Sequence, residues 1–381
     1  MITLKDKKDC CGCSACLSVC SKKAIIFQED SEGFLYPIVN KSLCNDCGLC
    51  NKVCPVLYYR ELPKKASPIV YAAVNKNIDE YMNSSSGGVF IVLADKIIEE
   101  GGVVFGAIYD DKFNVVHSYS ETKEGCKEFQ KSKYTQSEIR GVYKQIKEYL
   151  KKGRKVLFSG TPCQVAGLKL YLMKQYDNLL TVDIVCHGVP SPEIFRTYLK
   201  FVGNGKNVKA IDFKTKNPNN RSTGLSIRLD DGTRYENRLI THVWNNLQFS
   251  NCIERPSCYD CQFTHLNRPG DITLGDYWHY DKVSPEFYPN QAPSLVLINT
   301  DKGNKLFDEI KGELFVELSD IKSCLQPNLK HPTTRSSNRD DFWKTYTTSS
   351  FKKTLHKYTT YSLKNRIIDF LKHCVLINIC K

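Results

Sequence analysis

A chain of 381 residues has room for two or three domains, and its 41% hydrophobic and 25% charged residues exclude disordered and fibrous classes. No apolar run approaches the roughly 20 residues needed to cross a bilayer, and no charged segment followed by an apolar run opens the chain, so a cytoplasmic protein is expected. The formal charge of +13 invites a nucleic-acid partner, but with no interleaved aromatic and basic motif nucleic acid is not expected.

The first segment, to Pro55, is rich in Cys and Gly, with apolar pieces at residues 24–27 and 34–39 too small for a core, so bound ligands must organise it. Pro63, Lys64, Lys65 and Pro68 mark a linker and a domain boundary near residue 60. A strand is predicted at residues 69–74, then a helix capped by residues 84–86 and stopped by Gly101 and Gly102. Residues 103–109 and 114–120 read as a hairpin around Asp110 and Asp111; a helix follows with Ile139, Val142, Ile146 and Leu150 on one face. Strands at 155–158 and 179–185 lead into helical segments at 160–172 and 193–201, a hairpin turns around Asp231 and Gly232, a strand spans 294–299, and the last thirty residues are basic and helical. The expected fold is an α+β ferredoxin-like module followed by an α/β domain with a mixed sheet.

The chain contains 18 cysteines, which in a reducing compartment are metal ligands or catalytic groups far more often than disulfides. Cys10, Cys13, Cys16 and Cys20 have the spacing CxxCxxCxxxC, repeated by Cys44, Cys47, Cys50 and Cys54 with Pro55 following. In this two-cluster run three close cysteines wrap one [4Fe-4S] cube and the fourth reaches the other, so Cys54 is expected to join the first three and Cys20 the second three. Zinc sites prefer two CxxC pairs with a longer spacer. Ser21 stands where proline is common, and Cys11 is read as a spare thiol.

Of the remaining cysteines, Cys163 follows a strand in Gly160-Thr161-Pro162-Cys163, where Thr161 can cap a helix and Pro162 can take its first position; Cys186 ends the next strand, and Cys258 and Cys261 form a CxxC. The carboxyl ends of adjacent strands can bring the first two to one rim. On residue type alone a third cluster, zinc or no metal all remain open. Cys126, Cys324, Cys374 and Cys380 are isolated and read as inert.

Together with the ferredoxin runs, Ser86-Gly87-Gly88, Lys133-Tyr134, Gly160-Thr161-Pro162-Cys163-Gln164, Cys186-His187-Gly188, Cys258-Tyr259-Asp260-Cys261, Asp271-Ile272-Thr273 and Gly275-Asp276-Tyr277-Trp278 resemble the coenzyme F-420 hydrogenase/dehydrogenase beta-subunit family from residue 1 to about 320. The resemblance implies a division into a dicluster ferredoxin domain (1–60), a flavin-binding region (69–155), a region with a third iron-sulfur site (156–325) and a basic helical tail (326–381). It implies a third [4Fe-4S] cluster on Cys163, Cys186, Cys258 and Cys261, with Cys252 the one nearby candidate to displace a member, beside an FAD. No GxGxxG fingerprint supports a Rossmann site, so the flavin rests on likeness, with Ser86, Gly87 and Gly88 as a seat for a pyrophosphate and Lys133 and Tyr134 as a phosphate partner and a ring contact. Helix packing by the glycines and a solvated Lys133 are the plain alternatives; His187 is either a proton donor or a local hydrogen-bonding residue.

The implied activity is that of an iron-sulfur flavoprotein oxidoreductase, passing electrons between a ferredoxin-type donor or a hydrogenase/dehydrogenase subunit and a small two-electron acceptor. That acceptor is coenzyme F-420 or, in bacteria, an intermediate of surface polysaccharide synthesis. The competing reading is an electron-relay subunit with no substrate site, against which stands the large domain behind the ferredoxin. In the tail, Leu363, Ile367, Ile368, Phe370 and Leu371 among lysines are compatible with an interfacial helix, but docking on the protein's own domain is the expectation.

Overall fold

A computed structural model describes residues 1–58, 67–217, 220–278, 280 and 292–379, with side chains of residues 217, 220–223 and 373–379, Cys374 among them, left aside; Pro63, Lys64, Lys65 and Cys380 fall outside this description. The N-terminal module pairs β1 (Ile25–Glu29) with β2 (Leu35–Val39) antiparallel, Ile25 opposite Val39. Short helical turns carry the cysteine runs, such as Ala15–Val19 and Leu49–Lys52.

The main domain contributes β3 (Ile69–Asn75), β4 (Val103–Tyr109), β5 (Val115–Ser120), β6 (Val156–Gly160) and β7 (Leu179–Ile184). β8 (Val208–Asn217), β9 (Asn220–Leu229) and β10 (Arg234–Glu236) form a separate antiparallel sheet, and β11 (Ile272–Asp276), β12 (Ser294–Ile298) and β13 (Leu314–Ser319) return to the large one. Its order is β13-β3-β12-β11-β7-β6-β4-β5. The four central strands run parallel, with Val103 beside Val156, Val156 beside Leu179 and Val182 beside Ile272, and the flanking pairs are antiparallel. This is the expected mixed sheet. Its central strands are short and apolar because helices cover both faces: all of β12 is buried.

Helices Val89–Glu99 and Asp301–Ile310 pack Leu93, Ile97, Leu306 and Phe307 against one face. Helices Val142–Lys151 and Pro162–Leu172 cover the other with Tyr143, Ile146, Val165 and Leu168, and each such fully buried side chain contributes roughly 1.5–3 kcal/mol. Cys13, Ala15 and Val53 of the ferredoxin module belong to that same apolar cluster. Gly167 permits the approach, since a Cβ there would stand 3.0 Å from the Cys13 sulfur. The small sheet packs on helices Pro192–Gly203, Leu239–Phe249, Arg339–Thr348 and Phe351–Tyr358 around Trp244 and Phe195.

Two expectations change in detail. The helix expected to be capped by Ser84, Ser85 or Ser86 begins later, at Val89, with Gly88 as its N-cap at φ +80°, because the chain must make a left-handed step beside Asn75 to enter it. The hairpin around Asp231 and Gly232 gains β8 as a third strand. Among the described residues no helix is long and apolar enough to cross a membrane. The C-terminal helix Leu363–Ile379 is tied to the domain by Arg238, whose Nε and Nη2 donate to Asp369 Oδ2 at 3.0 and 2.8 Å, while Leu363, Ile367, Ile368, Phe370 and Leu371 stay exposed.

Candidate redox centres and the cleft beside them

The ferredoxin module folds its two cysteine runs across each other. Cys20, from the first run, lines one cavity of about 360 Å³ with Cys44, Cys47 and Cys50 of the second. Cys54, from the second run, interacts electrostatically with Cys10, Cys13 and Cys16. Burial pushes the Cys16 and Cys54 thiols up, and their cysteine neighbours push them further, as expected of like groups crowded out of water. Backbone amides point at the sulfurs: Ile2 N donates to Cys50 Sγ at 3.1 Å and Ala24 N to Cys20 Sγ at 3.3 Å. Amide donors of this kind offset negative charge on bound thiolates.

The main domain gathers the four distal cysteines. Cys163 occupies the first turn of helix Pro162–Leu172, right after β6, with Thr161 N donating to Gln164 Oε1 at 3.0 Å to close the turn. Cys186 follows β7, and Cys258 lies in the short helical turn Pro256–Asp260 with Cys261 after it. All four line one cavity of about 830 Å³, together with Cys11, His187 and Arg268. A hydrogen bond from Cys11, then burial, raise the Cys163 thiol well above its usual range; burial and the other cysteines do the same for Cys258, and burial first raises Cys186 to about 12 and Cys261 to about 11. Left to themselves these groups are neutral thiols, so the helix N-terminus alone does not make Cys163 a thiolate. A coordinated metal ion would deprotonate them outright. Among the described residues no three His, Cys, Asp or Glu side chains are grouped to hold a metal ion; the thiols stand around cavities instead.

Cys252 is not in this set. It is buried in the aromatic cluster of the small sheet, where its carbonyl accepts from Trp343 Nε1 at 3.0 Å. Cys126 and Cys324 are likewise buried in apolar clusters. Cys11 lies between the two redox regions, interacting with Cys13 on one side and Cys163 on the other.

A cleft of about 1820 Å³, open to solvent, lies against the carboxyl ends of the central strands. Ser86, Gly88, Lys133 and Tyr134 line it, as do Lys131, Lys214, Phe249 and Trp278. Gly87 is turned away: a Cβ there would collide with the Ala73 carbonyl and the Ser294 amide, and its N–H donates to Ser294 Oγ at 2.8 Å, so it serves the packing alternative. Lys133 is not a solvated charge, because its Nζ donates to the Glu128 and Gln130 carbonyls at 2.8 Å each and burial lowers its pKa to about 7. Tyr134 packs edge-on against Phe213. His187 faces Asn251 Oδ1 at 3.1 Å through Nε2, the local hydrogen-bonding role. Thr161, Cys186, His187, Gly188 and Val189 line both the thiol cavity and the cleft, so one strip of chain is the wall between them.

Residues 153–323 match the family model for the C-terminal part of the coenzyme F420 hydrogenase/dehydrogenase beta subunit, and residues 9–57 match the 4Fe-4S dicluster domain. The chain is therefore similar to the C-terminal part of that beta subunit behind a segment similar to a dicluster ferredoxin domain. The matched residues 153–323 span both β6 and β7, the distal cysteines and the inner wall of the cleft. Over 334 residues the chain is 23% identical to the coenzyme F420-dependent sulfite reductase of Methanocaldococcus jannaschii, covering 85% of this chain and 50% of that protein. An uncharacterised protein of the same organism is 27% identical over 203 residues, 46% of this chain and 56% of its own length. The chain therefore spans about half the length of these relatives. The ferredoxin-type protein NapF of Escherichia coli K12 is 43% identical over 44 residues, 12% of this chain and 27% of that protein. A chain of the F420-reducing [NiFe] hydrogenase complex from Methanosarcina barkeri superposes with a TM-score of 0.46 at 17% identity, covering 68% of this chain and 83% of that one.

Sequence reasoning missed two lysines of the small sheet, of which Lys214 lines the cleft. Lys214 pairs with Asp276, and Lys216 donates to the Tyr81 and Ser86 carbonyls, with burial lowering its pKa to about 7. Both stand on an irregular strand with two register shifts around Thr215, which hides the alternation a strand should show. It also missed the buried pair of Arg268 and Asp183 under the thiol cavity, 1% and 0% exposed.

Proposed function

We propose that this chain is an iron-sulfur flavoprotein oxidoreductase in which electrons pass between a protein partner, the two ferredoxin clusters, a third [4Fe-4S] cluster on Cys163, Cys186, Cys258 and Cys261, and FAD in the adjoining cleft. The observation that carries this reading is the wall shared by the four-thiol cavity and the cleft, formed by Thr161 and residues 186–189. Electron transfer needs such adjacency, and a relay with no substrate site has no use for a cleft of this size.

The residues present fit both groups. Burial and then the neighbouring cysteines raise the pKa of Cys186 and Cys258, and the four thiols around one cavity are a ligand set that a cationic cluster core would relieve. In the cleft, the left-handed Gly88 opens the helix Val89–Glu99 without a side chain in the way, so its free amides can face an anion. Ser84, Ser85 and Ser86 offer hydroxyls at the same end, and Lys131 and Lys214, paired with Asp212 and Asp276, offer further N–H donors. Tyr134, Phe249 and Trp278 supply aromatic surface. A bound flavin would collect two single electrons with a proton from solvent and deliver them together as a hydride. The chain's own part is to hold a planar ring against the wall and to exclude water behind it.

The acceptor would bind in the outer part of the cleft. Coenzyme F-420 is supported by the family and by the name of the M. jannaschii relative; an intermediate of surface polysaccharide synthesis is the bacterial alternative. The partner would be a ferredoxin or a hydrogenase/dehydrogenase chain docking at the ferredoxin module. Iron, acid-labile sulfide, zinc and flavin per chain, measured on anaerobically purified protein, test the reading. It requires about 12 irons and one flavin; about 8 irons with no flavin after full reconstitution would replace it with the relay.

A further inference from the structure

We propose that Arg255 is a positioning residue that clamps the first ferredoxin cluster, the one held by Cys10, Cys13, Cys16 and Cys54, onto the beta-subunit domain and raises that cluster's reduction potential. This rests on the reading that the N-terminal thiols hold [4Fe-4S] clusters.

The side chain of Arg255 is fully buried and crosses from the main domain into the ferredoxin module. Its Nε donates to the Cys10 carbonyl at 2.7 Å, Nη1 to Gln136 Oε1 at 2.7 Å, and Nη2 to the Leu35 carbonyl at 2.9 Å and to the Cys10 sulfur at 3.5 Å. The guanidinium lies 4.3 Å from the centre of the Tyr36 ring. Gly12, at φ +72°, leaves room for it, because a Cβ there would come 3.0 Å from Nη1. Its main chain belongs to the other redox region: Arg255 N donates to the Val189 carbonyl at 3.0 Å, on the wall strip, and Cys258 N donates to the Arg255 carbonyl at 2.8 Å. One residue therefore joins the first ferredoxin cluster to the third thiol set.

The charge itself is the second half of the argument. Among the described residues three arginines are buried, and two have carboxylates: Arg268 pairs with Asp183 and Arg339 with Glu32. Arg255 donates to carbonyl, amide and sulfur acceptors only, and its titratable neighbours are Cys10, Tyr36, Cys11 and Cys258, with no carboxylate among them. A guanidinium cannot shed its proton, and burying it without an anion is costly. Thiolate-held clusters carry the missing negative charge, and more of it once reduced. A fixed cation against a ligating sulfur thus favours the reduced state.

Redox titration of the anaerobic full chain followed by electron paramagnetic resonance tests this, with four variants. Arg255→Gln removes the charge, and Gln136→Glu neutralises it while leaving the guanidinium in place. Each should move one N-terminal cluster to lower potential, so that its reduced-to-oxidised ratio at fixed poise falls at least tenfold, 59 mV for one electron. Arg255→Lys and Gln136→Leu keep a cation and should stay within threefold of the parent. A midpoint within twofold of the parent in both Arg255→Gln and Gln136→Glu would overturn the proposal. If Arg255→Gln fails to assemble its clusters, the two Gln136 variants decide alone. Iron per chain reports the third cluster separately, and its absence would leave the N-terminal midpoints readable.

Discussion

Asp183→Asn is the substitution whose cost the structure specifies most closely. The carboxylate is fully buried on β7 and accepts four hydrogen bonds, from Arg268 Nε at 3.1 Å, Arg268 Nη2 at 2.9 Å, Thr273 Oγ1 at 2.7 Å and Gly270 N at 2.7 Å. Arg268 in turn holds the Phe263 and Ile184 carbonyls at 2.6 and 2.7 Å, each two residues from a cysteine of the third set. Asparagine keeps the volume but takes the counter-charge from a buried guanidinium, which costs roughly 3–5 kcal/mol, or about two to four orders of magnitude in the folded-to-unfolded ratio. Anaerobic urea unfolding, followed by circular dichroism and by cluster absorbance, measures it. Adding Arg268→Met should recover part of the loss, because the unpaired charge is then gone although one of the Gly270 N and Thr273 Oγ1 donors still faces the amide nitrogen that replaces its acceptor. A loss below about 1 kcal/mol in Asp183→Asn, or strict additivity in the double variant, would refute the account of this pair.

Two further outcomes follow from single residues. Burial raises the Glu254 carboxyl to about 7, against the bond it accepts from Tyr259 Oη at 3.0 Å, so the folded protein binds this proton more tightly than the unfolded chain. Stability therefore falls as pH rises from the ordinary carboxylate value towards 7, and Glu254→Gln should stabilise the protein by up to about 3 kcal/mol at pH 8.5 and by less at about pH 5.5; an equal gain in Tm at both would contradict this. Gly87→Ala should cost about 1–3 kcal/mol through overlap with the Ala73 and Ser294 backbone and should halve flavin content, whereas Gly101→Ala, at φ +71° with open space around its Cβ position, should cost about 1–2 kcal/mol and leave flavin unchanged. Thermal unfolding and flavin absorbance on the same samples separate the two.

The hairpin of β4 and β5 was readable because Asp110 is a turn residue whose Oδ1 accepts from the Lys112 and Asn114 amides, and alternating apolar residues flank it. The turn before helix Pro162–Leu172 was readable for a similar reason, with Thr161, Pro162 and Gln164 closing it locally. Where local preference and packing compete, the sequence misleads. Serines at 84–86 are better caps than glycine in general, yet the end of β3 at Asn75 demands a left-handed residue and places the cap at Gly88. Arg255 carries no local signal, because its side-chain partners lie 119 to 245 residues away in the chain. The cysteine runs sit at the other extreme: their spacing announces iron-sulfur chemistry before any fold is known.

The central claim is that electrons reach the cleft through the third thiol set, and Cys258→Ser tests it most directly. Anaerobic stopped-flow mixing with a reduced ferredoxin follows the N-terminal clusters and the flavin at separate wavelengths. The account predicts that the variant loses about four irons, keeps its flavin, reduces its N-terminal clusters at the parent rate and reduces its flavin at least about tenfold more slowly. Flavin reduction at the parent rate in a variant that has lost those four irons would contradict it.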